Sequence, residues 1–228
     1  MVTAIVVAAG RSTRMGGTVN KQFLQLLGQP ILYYSLAACE RCAAVDAVVL
    51  VHRPDDRARA EAAVHSFGCR KVRAFAAGGA ERQNSVWNGL SMCDPATEIV
   101  AVHDGARPLV TPELIAATVA SARAQGTGIA ASKVVDTIKE ADDTRRVLRT
   151  VDRTRLWAVQ TPQTVRFSLL RAAYAQVLER GLLVTDEAAA VQLLGEPVHL
   201  VDTPFLNLKI TTPTDLAMAE ALLRSRTA

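Results

Sequence analysis

The stretch AIVVAAGRSTRMGGTVNKQF, residues 4–23, decides the fold. It begins as a short apolar run with β-branched residues, which suits a strand buried on both faces of a sheet. The run ends in the small residues Ala8, Ala9 and Gly10. Because bare backbone allows a ligand to approach closely at the carboxyl edge of an α/β sheet, this end is a candidate binding site.

The loop after this strand matches neither of two common phosphate-binding motifs. Gly17 stands where a P-loop has its lysine, and the spacing G-x-G-x-x-G of dinucleotide-binding folds is also absent. Positive charge is nevertheless supplied by Arg11, Arg14 and Lys21. Arginines in surface loops are often only solvated, but backbone amides combined with arginine and lysine suit a triphosphate. We therefore interpret the loop as a triphosphate-binding loop of another kind.

Short apolar runs alternate with helical patterns along the rest of the chain. Strands are predicted at residues 3–9, 46–51, 71–76, 98–103, 127–135, 157–160 and 198–202. Helices are predicted at residues 30–42, 55–67, 82–93, 112–124, 168–180, 186–194 and 213–225. This order implies right-handed crossovers between parallel strands. We predict a Rossmann-like α/β fold with a doubly wound, mostly parallel sheet in a single domain of residues 1–228.

Residues 136–156, DTIKEADDTRRVLRTVDRTRL, interrupt the alternation. Apolar and charged residues alternate around a polar turn, which indicates a β-hairpin with little core content. Such a segment is either a solvated surface hairpin or an arm that grips another subunit. We predict a protruding dimerisation arm, and hence a homodimer.

The composition argues against several classes of protein. The 228 residues, with 50% hydrophobic and 21% charged, suffice for one well-packed domain. The net charge is +4, but basic and acidic residues are interspersed, so no nucleic-acid partner is predicted. The four cysteines lack the spacing of a zinc site. No apolar stretch approaches the roughly 20 residues that span a bilayer, so we expect no membrane association and a cytoplasmic location.

Several stretches carry a resemblance to a known family. The pattern A-A-G-x-x-x-R-M followed by Lys21 is similar to the signature loop of nucleotidyltransferases that join a nucleoside triphosphate to a phosphorylated sugar or polyol. Further matching stretches are GGAERQNSV (78–86), VAVHDGARP (100–108), TVDRTRLWAVQTPQ (150–163) and NLKIT (207–211). Together they resemble the 2-C-methyl-D-erythritol 4-phosphate cytidylyltransferase family of the non-mevalonate isoprenoid route, in order over essentially the whole chain.

The resemblance implies an activity. CTP and 2-C-methyl-D-erythritol 4-phosphate would give 4-diphosphocytidyl-2-C-methyl-D-erythritol and pyrophosphate, with Mg²⁺ as cofactor, held mainly by the triphosphate and near Asp104. The second pKa of a phosphate monoester is near ~6, so no general base is required. His103 is then expected to be structural. Catalysis would consist of positioning and charge stabilisation by cations.

The resemblance also assigns roles to individual residues. It implies catalytic roles for Arg14, Lys21, Arg153 and Lys209. It implies a cytidine-binding rim formed by Ala8, Ala9, Gly10, Gly79, Glu81, Arg82 and Ser85. Candidate contacts to the second substrate are Asp104, Arg107, Thr137, Thr161 and Thr185, and for the threonines an ordinary strand or cap role is equally open.

Three positions depart from the family pattern. Ala80 replaces a frequent aspartate, Val7 replaces a proline, and Asn20 replaces the proline before Lys21, which is expected to leave the lysine's loop less rigid. Two alternatives stay open at this point. One is a cytidylyltransferase for another polyol phosphate such as ribitol 5-phosphate, and the other is a nucleotide-binding regulator without activity.

Overall fold

A computed structural model describes residues 1–10 and 20–227, so Arg11 and Arg14 lie outside the described residues. Its strands are β1 (Val2–Val7), β2 (Gln25–Leu26), β3 (Gln29–Pro30), β4 (Ala47–His52), β5 (Val72–Ala77), β6 (Ile99–Asp104), β7 (Thr127–Lys133), β8 (Ile138–Ala141), β9 (Val147–Val151), β10 (Trp157–Arg166) and β11 (Leu200–Asp202). Its helices are α1 (Ile31–Arg41), α2 (Arg57–Ser66), α3 (Arg82–Ser91), α4 (Pro112–Gln125), α5 (Phe167–Glu179), α6 (Glu187–Gln192) and α7 (Pro213–Thr227).

Seven strands form the central sheet in the order β11-β7-β10-β6-β1-β4-β5. Strand β1 lies between β4 and β6 and is parallel to both, and β5 extends the parallel part beyond β4. Strand β10 is antiparallel to its neighbours β6 and β7. The predicted α/β class with a mostly parallel sheet is therefore confirmed, with one antiparallel strand in its interior.

The sheet is covered by helices on both faces, as the apolar runs predict. In β1, Ala4 and Val6 pack into a cluster with residues of α1, α2 and α4, whereas Ile5 and Val7 pack into a cluster with α3, α5 and α6. Since successive side chains of a strand point to opposite faces, both faces must be apolar, and a continuous run results.

Residues 136–156, which we call the arm, contain the predicted hairpin. Strands β8 and β9 pair antiparallel with each other in a separate two-stranded sheet, and most of their residues are exposed. The two strands thus form a hairpin, while its protrusion as an arm stays a prediction. Its role in dimerisation stays a prediction.

The four cysteines are free thiols in the structure. Cys39, Cys42 and Cys69 are buried, and Cys93 is partly buried. Burial raises the pKa of the Cys39 thiol to about 12 and that of Cys69 to about 11, so both are protonated at neutral pH. Among the residues that the structure describes, no helix has the length and apolar character needed to cross a membrane.

Candidate active site

A cavity of about 670 Å³ opens at the carboxyl ends of the parallel strands β1, β4, β5 and β6. This is the edge at which open α/β sheets bind ligands. Its lining comes from the loops after these four strands and from two other segments. The lining residues are Val7, Ala9, Gly10, Lys21, Gln22, Arg53, Pro54, Asp55, Gly78, Gly79, Ala80, Glu81, Arg82, Ser85, Asp104, Ala106, Lys209 and Thr211.

One end of the cavity is built from close backbone packing after β1 and β5. A Cβ atom on Gly78 would lie 2.3 Å from Ala9 Cβ and 3.3 Å from the His52 carbonyl oxygen. Only glycine allows this approach. The Ser85 hydroxyl accepts a hydrogen bond from the Gly79 amide at 3.0 Å and donates to the Glu81 carbonyl at 3.2 Å. The residues of the predicted nucleotide rim are therefore held by close backbone packing and by the two hydrogen bonds of Ser85.

Asp104, the last residue of β6, lies among three cationic side chains. Its Oδ1 is 3.2 Å from Arg82 Nε, and its Oδ2 is 2.7 Å from Lys209 Nζ and 4.0 Å from Arg107 Nε. Burial would raise the pKa of this carboxyl, but Arg82, Lys209 and Arg107 outweigh burial and hold the pKa well below its ordinary value. Asp104 is therefore ionised at neutral pH.

Arg82 connects Asp104 to a second carboxylate. Its Nη1 and Nη2 donate to the two oxygens of Glu187 at 2.7 and 3.0 Å, and Glu187 also accepts from the Tyr174 hydroxyl at 2.9 Å. Glu187 is fully buried at the start of α6. Burial disfavours a charged Arg82, but Glu187 and Asp104 more than compensate and raise its pKa. The guanidinium is thus fixed with one edge on each carboxylate.

The segment 207–211 brings Lys209 and Lys21 to the same cavity. Lys21 Nζ donates to the Ile210 carbonyl at 2.7 Å, and the Ile210 amide donates to the Ala106 carbonyl at 2.8 Å. The segment is also held by Asn207, whose Nδ2 donates to the Thr161 carbonyl at 2.8 Å. Lys21, predicted from a separate motif, therefore contacts the residue that follows Lys209 in the chain.

His103 and Thr161 lie behind this cluster. The Thr161 hydroxyl oxygen accepts from the Asp104 amide at 3.0 Å and is 3.1 Å from His103 Nδ1. Burial lowers the pKa of His103 to about 4, so the imidazole is neutral at pH 7. Both residues are buried in the sheet, and the Thr161 hydroxyl is hydrogen-bonded to the backbone of Asp104.

The predicted site residues fall into three groups. Those that line the cavity are Ala9, Gly10, Lys21, Gly79, Glu81, Arg82, Ser85, Asp104 and Lys209. Those that lie outside the lining are Ala8, Arg107, Thr137, Arg153, Thr161 and Thr185, and Arg14 is not among the described residues. Ala8 and Thr161 are buried directly behind lining residues, and Arg107 lies behind Asp104, where its Nη1 donates to the Asn207 carbonyl at 2.7 Å.

Three predicted residues lie at exposed positions within the single chain. Thr137 and Thr185 are exposed, and Arg153 is an exposed arm residue whose Nη1 donates to the Val135 carbonyl. The chain alone therefore does not bring them into the described cavity.

The structure adds site residues that sequence reasoning missed, including Glu187 and the loop Arg53 to Asp55. The acidic pair Asp186-Glu187 before an apolar helix is a signal that could have been noticed. The expectation that Asn20 leaves the lysine's loop less rigid stays a prediction. The Asn20 side chain is buried, and both its oxygen and its nitrogen are hydrogen-bonded.

A glycine-lined cavity edge, a charged cluster and a mostly parallel α/β sheet fit the class of nucleotidyltransferases. Comparison with known proteins identifies the family. The family model described as 2-C-methyl-D-erythritol 4-phosphate cytidylyltransferase matches residues 2–225. The chain belongs to this family.

Relatives and solved structures agree with this assignment. The protein of that name from Pelotomaculum thermopropionicum is 46% identical over 226 residues, which cover 99% of this chain and 95% of the relative. The one from Geobacillus kaustophilus is 45% identical, covering 99% and 98%. A crystal structure of the 4-diphosphocytidyl-2C-methyl-D-erythritol synthase from Anaerococcus prevotii superimposes with a TM-score of 0.88 at 30% identity, covering 98% of this chain and 96% of that one.

Proposed function

We propose that this chain transfers the cytidylyl group of CTP to 2-C-methyl-D-erythritol 4-phosphate. The family assignment supports this activity. The single structural observation that carries it is that Arg82 and Lys209 contact Asp104 in a cavity that Lys21 also lines, beside a glycine-rich rim. An excess of cations beside bare backbone is what a triphosphate requires.

The reaction forms one phosphorus–oxygen bond and breaks another. A phosphate oxygen of the polyol phosphate attacks the α-phosphorus of CTP, and pyrophosphate leaves with the bonding electron pair. The attacking monoester is largely deprotonated at neutral pH, since its second pKa is near ~6. His103 is neutral but buried outside the cavity lining, which agrees with a reaction that needs no general base.

The described residues divide this work between binding and charge stabilisation. Ala9, Gly10 and Gly79 offer backbone groups to the nucleotide, with Ser85 holding the turn, while Lys21 and Lys209 face the charge that develops on the reacting phosphates. Preorganised cations contribute most when they stabilise the transition state more than the ground state. Arg14 is proposed to act with Lys21 on the basis of sequence.

The residues present fit a magnesium ion bound chiefly by substrate. No three His, Cys, Asp or Glu side chains come together as a metal cluster in residues 1–10 and 20–227. Mg²⁺ needs only one or two carboxylates when phosphates supply the other ligands, and Asp104 is an ionised carboxylate in the cavity. When bound, the ion would neutralise charge on the phosphates. The ion is proposed to lie near Asp104, whose two oxygens already contact Arg82 and Lys209.

A homodimer through the arm is part of the proposal. Arg153 and Thr137 belong to the exposed arm, away from the cavity lining of their own chain, so a neighbouring subunit's cavity is where they would reach substrate. Thr185 and Arg107 stay proposed as substrate contacts on the basis of the family resemblance, since neither lines the described cavity. The cytoplasmic location stays a prediction.

The test is release of pyrophosphate across a panel of nucleoside triphosphates and polyol phosphates. We expect turnover with CTP and 2-C-methyl-D-erythritol 4-phosphate, its loss in chelator, and its recovery with Mg²⁺ but not Zn²⁺. Turnover of ribitol 5-phosphate at an equal or higher rate would favour the other polyol cytidylyltransferase. Binding of CTP without any turnover would favour a regulator.

A further inference from the structure

Asn20 is a buried amide immediately before Lys21. It is 3% exposed. Its Oδ1 accepts from the Gln22 amide at 3.1 Å, which caps the 3₁₀ turn Lys21–Phe23. Its Nδ2 donates to Asp56 Oδ2 at 2.8 Å and, at 3.4 Å, to the Ala8 carbonyl. One side chain therefore contacts three separate segments of the chain.

Each of the three segments contributes to the cavity. Ala8 precedes the lining residues Ala9 and Gly10, and Asp56 follows the lining loop that ends at Asp55. The third segment is the turn that carries Lys21. Strands β1 and β4 are already paired, since the Ala8 amide donates to the Val51 carbonyl at 2.7 Å. Asn20 thus attaches the lysine's turn to the rigid edge of the sheet.

The contact between Asn20 and Asp56 favours one orientation of the Asn20 amide. A buried amide is stable only when its donors and acceptors are paired, and a bond to a carboxylate is among the stronger pairings. Asp56 offers such an acceptor, with its side chain only 19% exposed. Rotation of the Asn20 amide would present its oxygen to the carboxylate, so the observed orientation is the favourable one. The pair therefore fixes both the position and the orientation of the cap.

We propose that Asn20, oriented by Asp56, is a positioning residue that sets Lys21 against the reacting phosphates. The inference rests on the proposed catalytic role of Lys21. Lys21 has a long, flexible side chain, and its backbone determines which atoms the Nζ can reach. A displacement of about 1 Å at a catalytic group can cost on the order of a hundredfold in rate. By holding the turn in place, Asn20 therefore affects the rate of the reaction as well as the local structure.

The proposal can be tested by exchanging the two partners. Asn20→Asp places two carboxylates against each other, and we expect kcat to fall between about tenfold and a hundredfold while the KM for CTP changes less than about threefold. Asp56→Asn leaves an amide pair that can still bond but no longer favours one orientation of the Asn20 amide, so we expect a smaller loss of kcat than in Asn20→Asp. The double variant Asn20→Asp/Asp56→Asn restores an amide–carboxylate bond in the opposite sense, and we expect kcat within about fivefold of the parent.

A second set of variants measures whether the effect of Asn20 on kcat depends on Lys21. Asn20→Ala should lower kcat about tenfold in the parent protein but have no further effect in a Lys21→Ala background, with thermal unfolding recorded for every variant. Two results would overturn the proposal. One is a kcat of the double variant Asn20→Asp/Asp56→Asn no higher than that of Asn20→Asp. The other is a loss of kcat from Asn20→Ala that is as large in the Lys21→Ala background as in the parent protein. If Lys21→Ala itself leaves kcat unchanged, the proposed function of Lys21 fails instead, and that result is visible without any Asn20 variant.

Discussion

The Asp104 carboxylate lies 2.7 Å from Lys209 Nζ, although 105 positions separate the two residues in the chain. Asp104 ends a central strand, and Lys209 belongs to a segment after the last strand of the sheet. The pair joins the middle of the cavity to the C-terminal part of the fold. The reactive end of the site is therefore fixed by two distant parts of the chain.

The lysines should act mainly on the chemical step. We expect Lys209→Met and Lys21→Met each to lower kcat on the order of a hundredfold, with a smaller effect on the KM for CTP, because one preorganised charge is worth about 3 kcal/mol in the transition state. The sequence predicts the same for Arg14→Ala. Steady-state pyrophosphate release measures both constants.

Lys71→Met is a matched control for these variants. Lys71 Nζ also donates to backbone carbonyls, those of Cys39 and Cys42, but it does not line the cavity. We expect it to affect stability and leave kcat within about twofold of the parent. A large rise in KM with unchanged kcat for the Lys21 or Lys209 variant would show that the lysine only binds nucleotide.

We expect the ion pair between Glu187 and Arg82 to contribute more to stability than the hydrogen bond from the Tyr174 hydroxyl to Glu187. Glu187→Gln leaves the partly exposed Arg82 without its bidentate carboxylate, and breaking a buried charge pair typically costs about 3 kcal/mol. Tyr174→Phe removes one hydrogen bond to the same carboxylate, at a cost of about 1 kcal/mol. Urea unfolding at pH 7 compares the two free energies. Equal losses would mean that the ion pair adds nothing beyond a hydrogen bond.

Buried His103 should make the protein less stable in mild acid. Its folded pKa, lowered by burial to about 4, is below the ordinary value of 6.5. Between these values the unfolded chain binds a proton that the folded chain does not, so stability falls as pH drops through this window. The expected contribution between pH 7 and pH 5 is a loss of about 2 kcal/mol. His103→Gln should remove that part of the pH dependence of unfolding, and an unchanged slope would contradict the assignment.

The arm can be tested by mixing two inactive chains. In a dimer of Lys21→Ala with Arg153→Ala, an Arg153 that acts across the interface leaves one site intact and one doubly damaged. Random subunit exchange makes about half of the dimers mixed, so roughly a quarter of the parent activity should return. Exchange is verified by mass spectrometry of differently tagged chains. A mixture that exchanges subunits without recovering activity shows that Arg153 does not serve the partner's site.

The sequence predicts the layered fold well because both faces of the sheet must be apolar. Predicted strands such as 98–103 lie within about two residues of those observed, here Ile99–Asp104. Strand β10 is longer than the predicted 157–160, since Gln160, Thr161 and Gln163 conceal the buried half of the strand. Apolar periodicity is uninformative where buried strand residues are polar and paired.

The sequence points to cavity-lining residues that stand in local motifs and misses residues that tertiary contacts bring to the cavity. Asp104 and Lys209 stand in short recognisable stretches. Glu187 does not, because its significance comes from Arg82, which is 105 positions away. The sequence likewise does not show that Asp56 is the hydrogen-bond partner of Asn20. Such pairings are set by topology and not by local composition.

The segment 207–211 also determines when a newly made chain can become active. Synthesis proceeds from the N-terminus, so the strands that frame the nucleotide rim leave the ribosome long before Lys209 does. Until that segment is translated, Asp104 lacks its lysine and Lys21 lacks the Ile210 carbonyl that it contacts. A nascent chain on a ribosome stalled before residue 207 therefore lacks both of these contacts, whatever the state of the strands already made.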